Sequence, residues 1–404
     1  MVRITIQYRM WMYAGVFGLS LASWLATPVF LRPRAYSIPS SKVTTYLAAR
    51  NGYRLLFVGD SRTYTDIQPR VIDPITARPS YNLASFGLWM PVQYLEFRDV
   101  FKNVPKDTVI IWSLSHHNFV PIGDRWWIPG QYAFGIADLA EYILDGYPVK
   151  RAIQEYEESP YSPVDIIVKG RKKFLASLEQ VVLRRHVHAI SPGKGLPTDR
   201  ISGDDDKFAI LPVAVPSRAE LNSAAAAKIL ERLKRDTRVT SMSPVAKDGI
   251  TNSIETTRAD GGYDRIVIDR EFFQEQQSKL WPPHTGTAGV CQFEANQVYM
   301  KTFNKILDLV SRYRLHMIVN YIEDAPGSWP SDSERRCAKQ FMLNRIVPIL
   351  KKRGMGFVDP DFYPHVQYSN DLYFDNSHLT SEGAAIYSRL LGCDMNKILS
   401  DMGW

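Results

Sequence analysis

The chain has 404 residues, of which 45% are hydrophobic and 23% charged, with a formal net charge of +7. This balance excludes a disordered or fibrous chain and fits one large α/β domain with insertions, or two domains of roughly 150–200 residues. The positive excess forms no long basic run and no nucleic-acid module is visible, so it fits an acidic glycan or lipid headgroup rather than nucleic acid.

From Met10 to Leu31 there is no charged residue, and Arg3, Arg9, Arg32 and Arg34 flank the run. About 20 apolar residues span a bilayer's hydrocarbon core, and Trp and Tyr stand near the ends as interfacial anchors do. Residues 1–34 are therefore expected to form an uncleaved membrane anchor; a cleaved signal peptide and a buried core helix are the alternatives. Lys42, Arg50 and Arg54 add positive charge after the span, so counting Lys and Arg does not orient it.

After a spacer rich in Pro and Ser, a helix is expected near Lys42–Asn51, followed by the apolar strand Arg54–Val58. That strand ends in Gly59-Asp60-Ser61-Arg62. A second strand lies near Ser80–Ala84 and leads to Gly87; a helix follows at Val92–Phe101, then a third strand at Thr108–Leu114. The stretch 119–279 reads as an insertion or cap with little periodicity. It holds a helix at Val164–Arg184, a polar run Ser191–Phe208, an Ala-rich helix opening at a Ser217/Glu220 capping box, and a Ser/Thr-rich loop, Thr237–Thr257. The last third alternates again: helix Glu294–Arg314, strand Leu315–Ile322, a helix from Ser331/Glu334 to Arg353, strand Met355–Asp359, and a final helix Ser381–Ser400. Such alternation predicts a parallel sheet covered on both faces, in one domain spanning 42–404.

Cys291, Cys337 and Cys393 lack metal-type spacing. One disulfide plus a free thiol is open in an exported protein; small core residues in a reduced compartment are the expected reading.

A serine hydroxyl becomes a nucleophile when a base takes its proton, and the base works best when a carboxylate orients it. Ser61 follows an apolar strand, where parallel sheets bind ligands. Asp375-Asn-Ser-His378 precedes the final helix, so one short turn can present carboxylate and imidazole together. Leu55-Leu-Phe-Val-Gly-Asp-Ser-Arg62 resembles the first block of SGNH (GDSL-like) hydrolases. Asn82-Leu-Ala-Ser-Phe-Gly87 resembles their second block, and Phe374-Asp-Asn-Ser-His-Leu-Thr-Ser-Glu-Gly383 their last. The resemblance covers about Arg54–Phe119 and Leu315–Ser400. It implies a three-layer, flavodoxin-like core with Ser61, Asp375 and His378 as catalytic triad, and backbone N–H groups of Ser61 and Gly87 in the oxyanion hole. The third block departs: Gly-x-Asn-Asp is replaced by Ser113-Leu-Ser-His-His-Asn-Phe119. Asn118 is the stand-in for its oxyanion-hole amide, with His117 as alternative.

Other features read more plainly. Adjacent His116 and His117 at a strand end point apart, with no carboxylate spacing, so no metal site is expected. Arg184–His188 reads as a solvated helix end, Asp204–Asp206 as polar loop, and Trp126, Trp127, Tyr132 and Phe134 as packing or sugar-stacking residues.

By resemblance to membrane-anchored polysaccharide O-acetylation proteins, the chain is expected to transfer an acyl group, most simply acetyl, to or from a cell-envelope glycan. It would need no cofactor. Its expected place is the bacterial inner (cytoplasmic) membrane, single-pass, with the catalytic domain in the periplasm beside a multi-spanning membrane acyltransferase. A plain carbohydrate or lipid esterase and a catalytically idle subunit of a membrane complex remain the alternatives.

Overall fold

Four consecutive apolar residues, Leu55–Val58, are buried on both sides, as a strand must be when helices cover both faces of a parallel sheet. A computed structural model of the chain describes residues 38–86, 89–119, 136–150, 152, 223–247, 250–267, 295–325, 332–358, 372–375 and 377–404. Two compact units divide the chain: Ile38–Ile128 with Phe208–Trp404, and Met1–Ser37 with Pro129–Lys207.

In the larger unit, helix α1 (Ile38–Ala49) leads into strand β1 (Leu55–Val58). Helices α2 (Ser61–Asp66) and α3 (Pro69–Thr76) carry the chain to β2 (Ser80–Asn82). Helix α4 (Met90–Phe101) returns it to β3 (Val109–Leu114), which ends in a 3-10 turn, His116–Phe119. The smaller unit contributes α5 (Ile136–Asp145), after which Tyr142 stacks on Tyr147 with ring centroids 5.4 Å apart.

The chain continues through α6 (Ser223–Arg235) and strands β4 (Val239–Lys247), β5 (Ile250–Arg258) and β6 (Tyr263–Val267). Then come α7 (Gln297–Tyr313), β7 (His316–Tyr321), α8 (Asp332–Phe341), a π-helical turn Met342–Ile346, α9 (Val347–Lys352), β8 (Gly356–Val358) and α10 (Ser381–Asp401).

Five strands form one sheet in the order β2-β1-β3-β7-β8, every pair parallel. The alternation of side chains sorts the core. Leu55, Phe57, Val109, Ile111, Ile318 and Val358 share one face with Leu391, Met395 and Leu399 of α10. On the other, Trp112 stacks on Phe303 of α7 at 5.5 Å and meets Phe97 of α4 edge-on at 5.8 Å. The buried Trp112 indole N–H is satisfied by Gln93 Oε1 at 2.7 Å. Helices thus cover both faces, as the strand–helix alternation predicts.

The Ser/Thr-rich stretch Thr237–Thr257, read from sequence as a loop, is instead most of an antiparallel pair, β4 with β5, extended by β6. Thr and Ile are good strand formers, and Asp248-Gly249 between the two strands is a strong hairpin signal. One face of this sheet packs Ile254, Met242 and Ile266 against Leu230 and Leu233 of α6. Its β5–β6 turn docks on β2: Asn82 N–H donates to Asp260 O at 2.9 Å, and Gly261, at φ +76°, lies so close to Asn82 O that a Cβ would overlap it.

Cys337 is buried and disulfide-bonded, and Cys393 is free and exposed, which corrects the reading of all three cysteines as reduced core residues. Among the described residues no helix is long and apolar enough to cross a membrane. The expected anchor at 1–34, the helix Val164–Arg184, the stretches Arg184–His188 and Asp204–Asp206, and Trp126, Trp127, Tyr132 and Phe134 lie outside those residues.

Candidate active site

Strand β1 has β2 on one side and β3 on the other, so the connections leaving β1 and β3 diverge at their carboxyl ends. Such a switch point is where open α/β sheets bind ligands. Ser61 stands beyond β1 and the His116–Phe119 turn beyond β3. Gly59 makes the turn out of β1 at φ +149°, where a Cβ would overlap the Thr63 hydroxyl. Asp60 caps α2 by accepting Arg62 N–H at 3.0 Å. As the first helical residue, Ser61 has a backbone N–H with no intrahelical partner.

His378 comes from a turn that closes on itself. Phe374 N–H donates to His378 O at 2.6 Å, Thr380 N–H to Leu372 O at 2.8 Å, and Thr380 Oγ1 then caps α10 by accepting Gly383 N–H. Within it Asp375 Oδ1 accepts the N–H groups of Ser377 and His378, each at 2.9 Å. Both Asp375 oxygens lie 2.8 Å from His378 Nδ1, and His378 Nε2 lies 2.8 Å from Ser61 Oγ. Three of the residues singled out in the sequence, Ser61, Asp375 and His378, are thus joined end to end across 317 positions of chain.

Charge tunes the pair. Burial works against an ionised Asp375, yet the hydrogen bond and charge of His378, with the two N–H donors, hold the carboxyl below the usual carboxylate range. Burial likewise opposes an imidazolium, but Asp375, and more weakly Asp66, raise His378 above the ordinary imidazole value.

Asp66, at the end of α2, escaped the sequence reading. It is fully buried; its Oδ1 accepts Leu379 N–H at 2.8 Å and the Thr65 hydroxyl at 2.6 Å, and its Oδ2 has no hydrogen-bond partner. Burial pushes its carboxyl up to about 7. Next to it, Gln68 N–H donates to Ser388 Oγ at 2.8 Å and Gln68 Nε2 to Ser381 O at 3.0 Å. The six-residue helix that starts with Ser61 therefore ends by clamping the segment that carries His378. No motif marks Asp66, because Leu379, whose N–H it accepts, lies 313 positions away.

Apolar rings wall the pair. Phe86 meets Tyr64 and Tyr263 edge-on or nearly so at 5.0 and 5.7 Å, and its centroid lies 6.3 Å from the His378 ring. Tyr263 belongs to β6, so the small sheet reaches the site.

Beyond β3 the chain builds a second polar group. Asn118 is buried; its Oδ1 accepts Ser115 N–H at 2.7 Å and its Nδ2 donates to Asp60 Oδ2 at 3.2 Å. One hydrogen of that amide is therefore committed to Asp60, and the other remains for a further acceptor. The buried Arg62 bridges the half-buried Asp60 and the buried Asp324, with Nη2 2.6 Å from Asp60 Oδ2 and Nη1 3.2 Å from Asp324 Oδ1. Removing one partner of such a buried group costs about 3–5 kcal/mol. His117 Nε2 lies 2.7 Å from Asp324 Oδ2, and His116 Nε2 lies 3.9 Å from the same oxygen. Burial, then the neighbouring His117, pushes His116 down to about 3, so it is neutral.

The expectation that His116 and His117 point apart is overturned. They occupy a 3-10 turn rather than a strand end, and their ring centroids are 3.8 Å apart. Asp324, the carboxylate absent from any local spacing, arrives from beyond β7. Its place just past the carboxyl end of a parallel strand is the signal that sequence reading passed over. Gly87 lies outside the described residues. No protein-family profile and no curated protein matches this chain.

Proposed function

We infer that the chain is a serine-dependent acyl-transfer enzyme of the SGNH type. One observation carries the reading: His378 Nε2 stands 2.8 Å from Ser61 Oγ while its Nδ1 is held 2.8 Å from both Asp375 oxygens. That order of contacts is what a proton-accepting base needs. The parallel order β2-β1-β3-β7-β8, with the serine at the β1/β3 switch point, supports the flavodoxin-like SGNH core.

In this reading Ser61 Oγ attacks an ester carbonyl carbon as its proton passes to His378 Nε2. The carbonyl oxygen becomes an oxyanion held by the N–H groups of Ser61 and Gly87 and the second amide hydrogen of Asn118. The ester C–O bond then breaks, the leaving oxygen takes the proton from His378, and an acyl-Ser61 ester remains. An acceptor hydroxyl or water gives its proton to His378, attacks the acyl carbon and restores the free serine. Asp375 keeps the Nδ1 proton facing itself and Nε2 facing Ser61.

The acyl group is most simply acetyl, and the acceptor a cell-envelope polysaccharide. The chain works outside a bacterial inner membrane, anchored by residues 1–34 and beside a multi-spanning acyltransferase that supplies the acyl group. The Cys337 disulfide supports an oxidising compartment. The test is labelling with a serine-directed fluorophosphonate and mapping of the modified peptide. Modification at Ser61, abolished in Ser61→Ala, is expected; modification elsewhere or none refutes the assignment. Turnover of a chromogenic acetyl ester with and without an oligosaccharide then separates transferase from esterase, because only a transferase moves acetyl to the sugar.

A further inference from the structure

We propose that His116, His117 and Asp324 bind one divalent transition-metal ion of the zinc type, in a site linked to the Asp60-Ser61 turn through Arg62.

Geometry is the first support. The three side chains offer one donor atom each, and these atoms all lie within 4.8 Å of one another. Zinc bonds to His nitrogen and carboxylate oxygen are about 2.0–2.2 Å, so a tetrahedral ion spreads its ligand atoms to roughly 3.3 Å. Asp324 Oδ2 stands 2.7 Å from His117 Nε2 and 3.9 Å from His116 Nε2, one on either side of that spacing. Shifts of about half an ångström bring both contacts to that spacing. Two histidines and a carboxylate leave one tetrahedral position open, the pattern of zinc sites that bind water or substrate.

Division of labour at Asp324 is the second. Its Oδ1 receives Arg62 Nη1 at 3.2 Å, while Oδ2 faces both imidazoles. A carboxylate fixed by a donor on one oxygen, with the other turned toward the imidazoles, is how outer-shell partners orient a metal ligand.

Charge is the third. The Asp60 and Asp324 carboxylates share the one Arg62 guanidinium, with side chains only 13%, 6% and 7% exposed. Two carboxylates against one guanidinium leave a formal negative charge beside the imidazoles, which a divalent cation more than neutralises. His117, with 32% of its side chain exposed, opens the site to solvent.

The inference does not depend on the acyl-transfer reading, and the experiment keeps the two apart. The full chain is stripped with a chelator, dialysed against zinc, and assayed for metal content and for affinity by competition with a chromophoric chelator. One zinc per chain is expected, with affinity at least ~100-fold lower in His117→Ala and unchanged in Ser61→Ala. Cobalt substitution of the unmutated chain should give the intense d–d absorption of a four- or five-coordinate ion, a reading that needs no variant to fold. A chain retaining no zinc, a His117→Ala variant binding as tightly, or a cobalt spectrum of the hexaaqua ion overturns the site. So does nitrogen-15 NMR showing His117 as an imidazolium against Asp324 in the presence of zinc.

Discussion

Two histidine–aspartate pairs of nearly equal length stand on the same end of the sheet, and they are wired oppositely. In the first, Asp375 takes His378 Nδ1 and leaves Nε2 facing Ser61. In the second, Asp324 takes His117 Nε2, and Arg62 grips its other oxygen. The first pair sits in a tight turn three residues apart, with 24% and 38% of its side chains exposed. The second spans 207 positions and is anchored by a buried carboxylate. A short His–Asp distance therefore does not define a catalytic pair; which nitrogen is left free, and what that nitrogen faces, does.

The contrast breaks most sharply at the nucleophile. Ser61→Ala should abolish fluorophosphonate labelling and lower ester turnover by at least ~10⁴-fold, as should His378→Ala, and the double variant should lose little more because the two act as a unit. A His117→Ala chain that lost as much turnover as His378→Ala would reverse the roles assigned to the two pairs. Asp375→Asn should lower turnover by about 10³–10⁴-fold, by releasing the imidazole from the tautomer that serves Ser61. Asn118→Ala should lower kcat by about 10²-fold if its second amide hydrogen meets the oxyanion. An unchanged kcat would confine Asn118 to holding Asp60.

Smaller effects should come from Asp66. Burial lifts its carboxyl to about 7, above its value in the unfolded chain. Its contribution to stability is therefore complete below about pH 4 and is lost as pH rises through about 7, by up to ~4 kcal/mol. Thermal melting followed against pH should show this decline, and Asp66→Asn should flatten it. Because an ionised Asp66 favours the His378 imidazolium, the same variant should move the rising limb of the pH–rate profile to lower pH. A profile unmoved by Asp66→Asn would show that Asp66 acts only through the Leu379 N–H.

Much of the fold was legible because it is local. Apolar runs of four to six residues became β1, β3 and β7, and helical periodicity became α4, α7 and α10, with ends within about three residues of those expected. Ser61, Asp375 and His378 were legible because each sits in a short motif at the edge of a regular element. The hairpin β4–β5 was not legible because its many Ser and Thr residues suit loops as well as strands, although Asp248-Gly249 is a hairpin-type dipeptide. Residues 1–34 bear on neither success nor failure, lying outside the described residues.

By itself, then, the sequence determined the alternation of strands and helices, the turn that carries Asp375 and His378, and the serine that follows β1. Tertiary structure alone decided that Asp66 clamps the His378 segment, that Arg62 joins Asp60 to Asp324, and that two neighbouring histidines face one carboxylate from beyond β7. Periodicity and motif are set by contacts between near neighbours, which a linear pattern records. A buried polar group is satisfied by whatever the fold brings within about 3 Å, and those partners come from chain segments hundreds of residues apart.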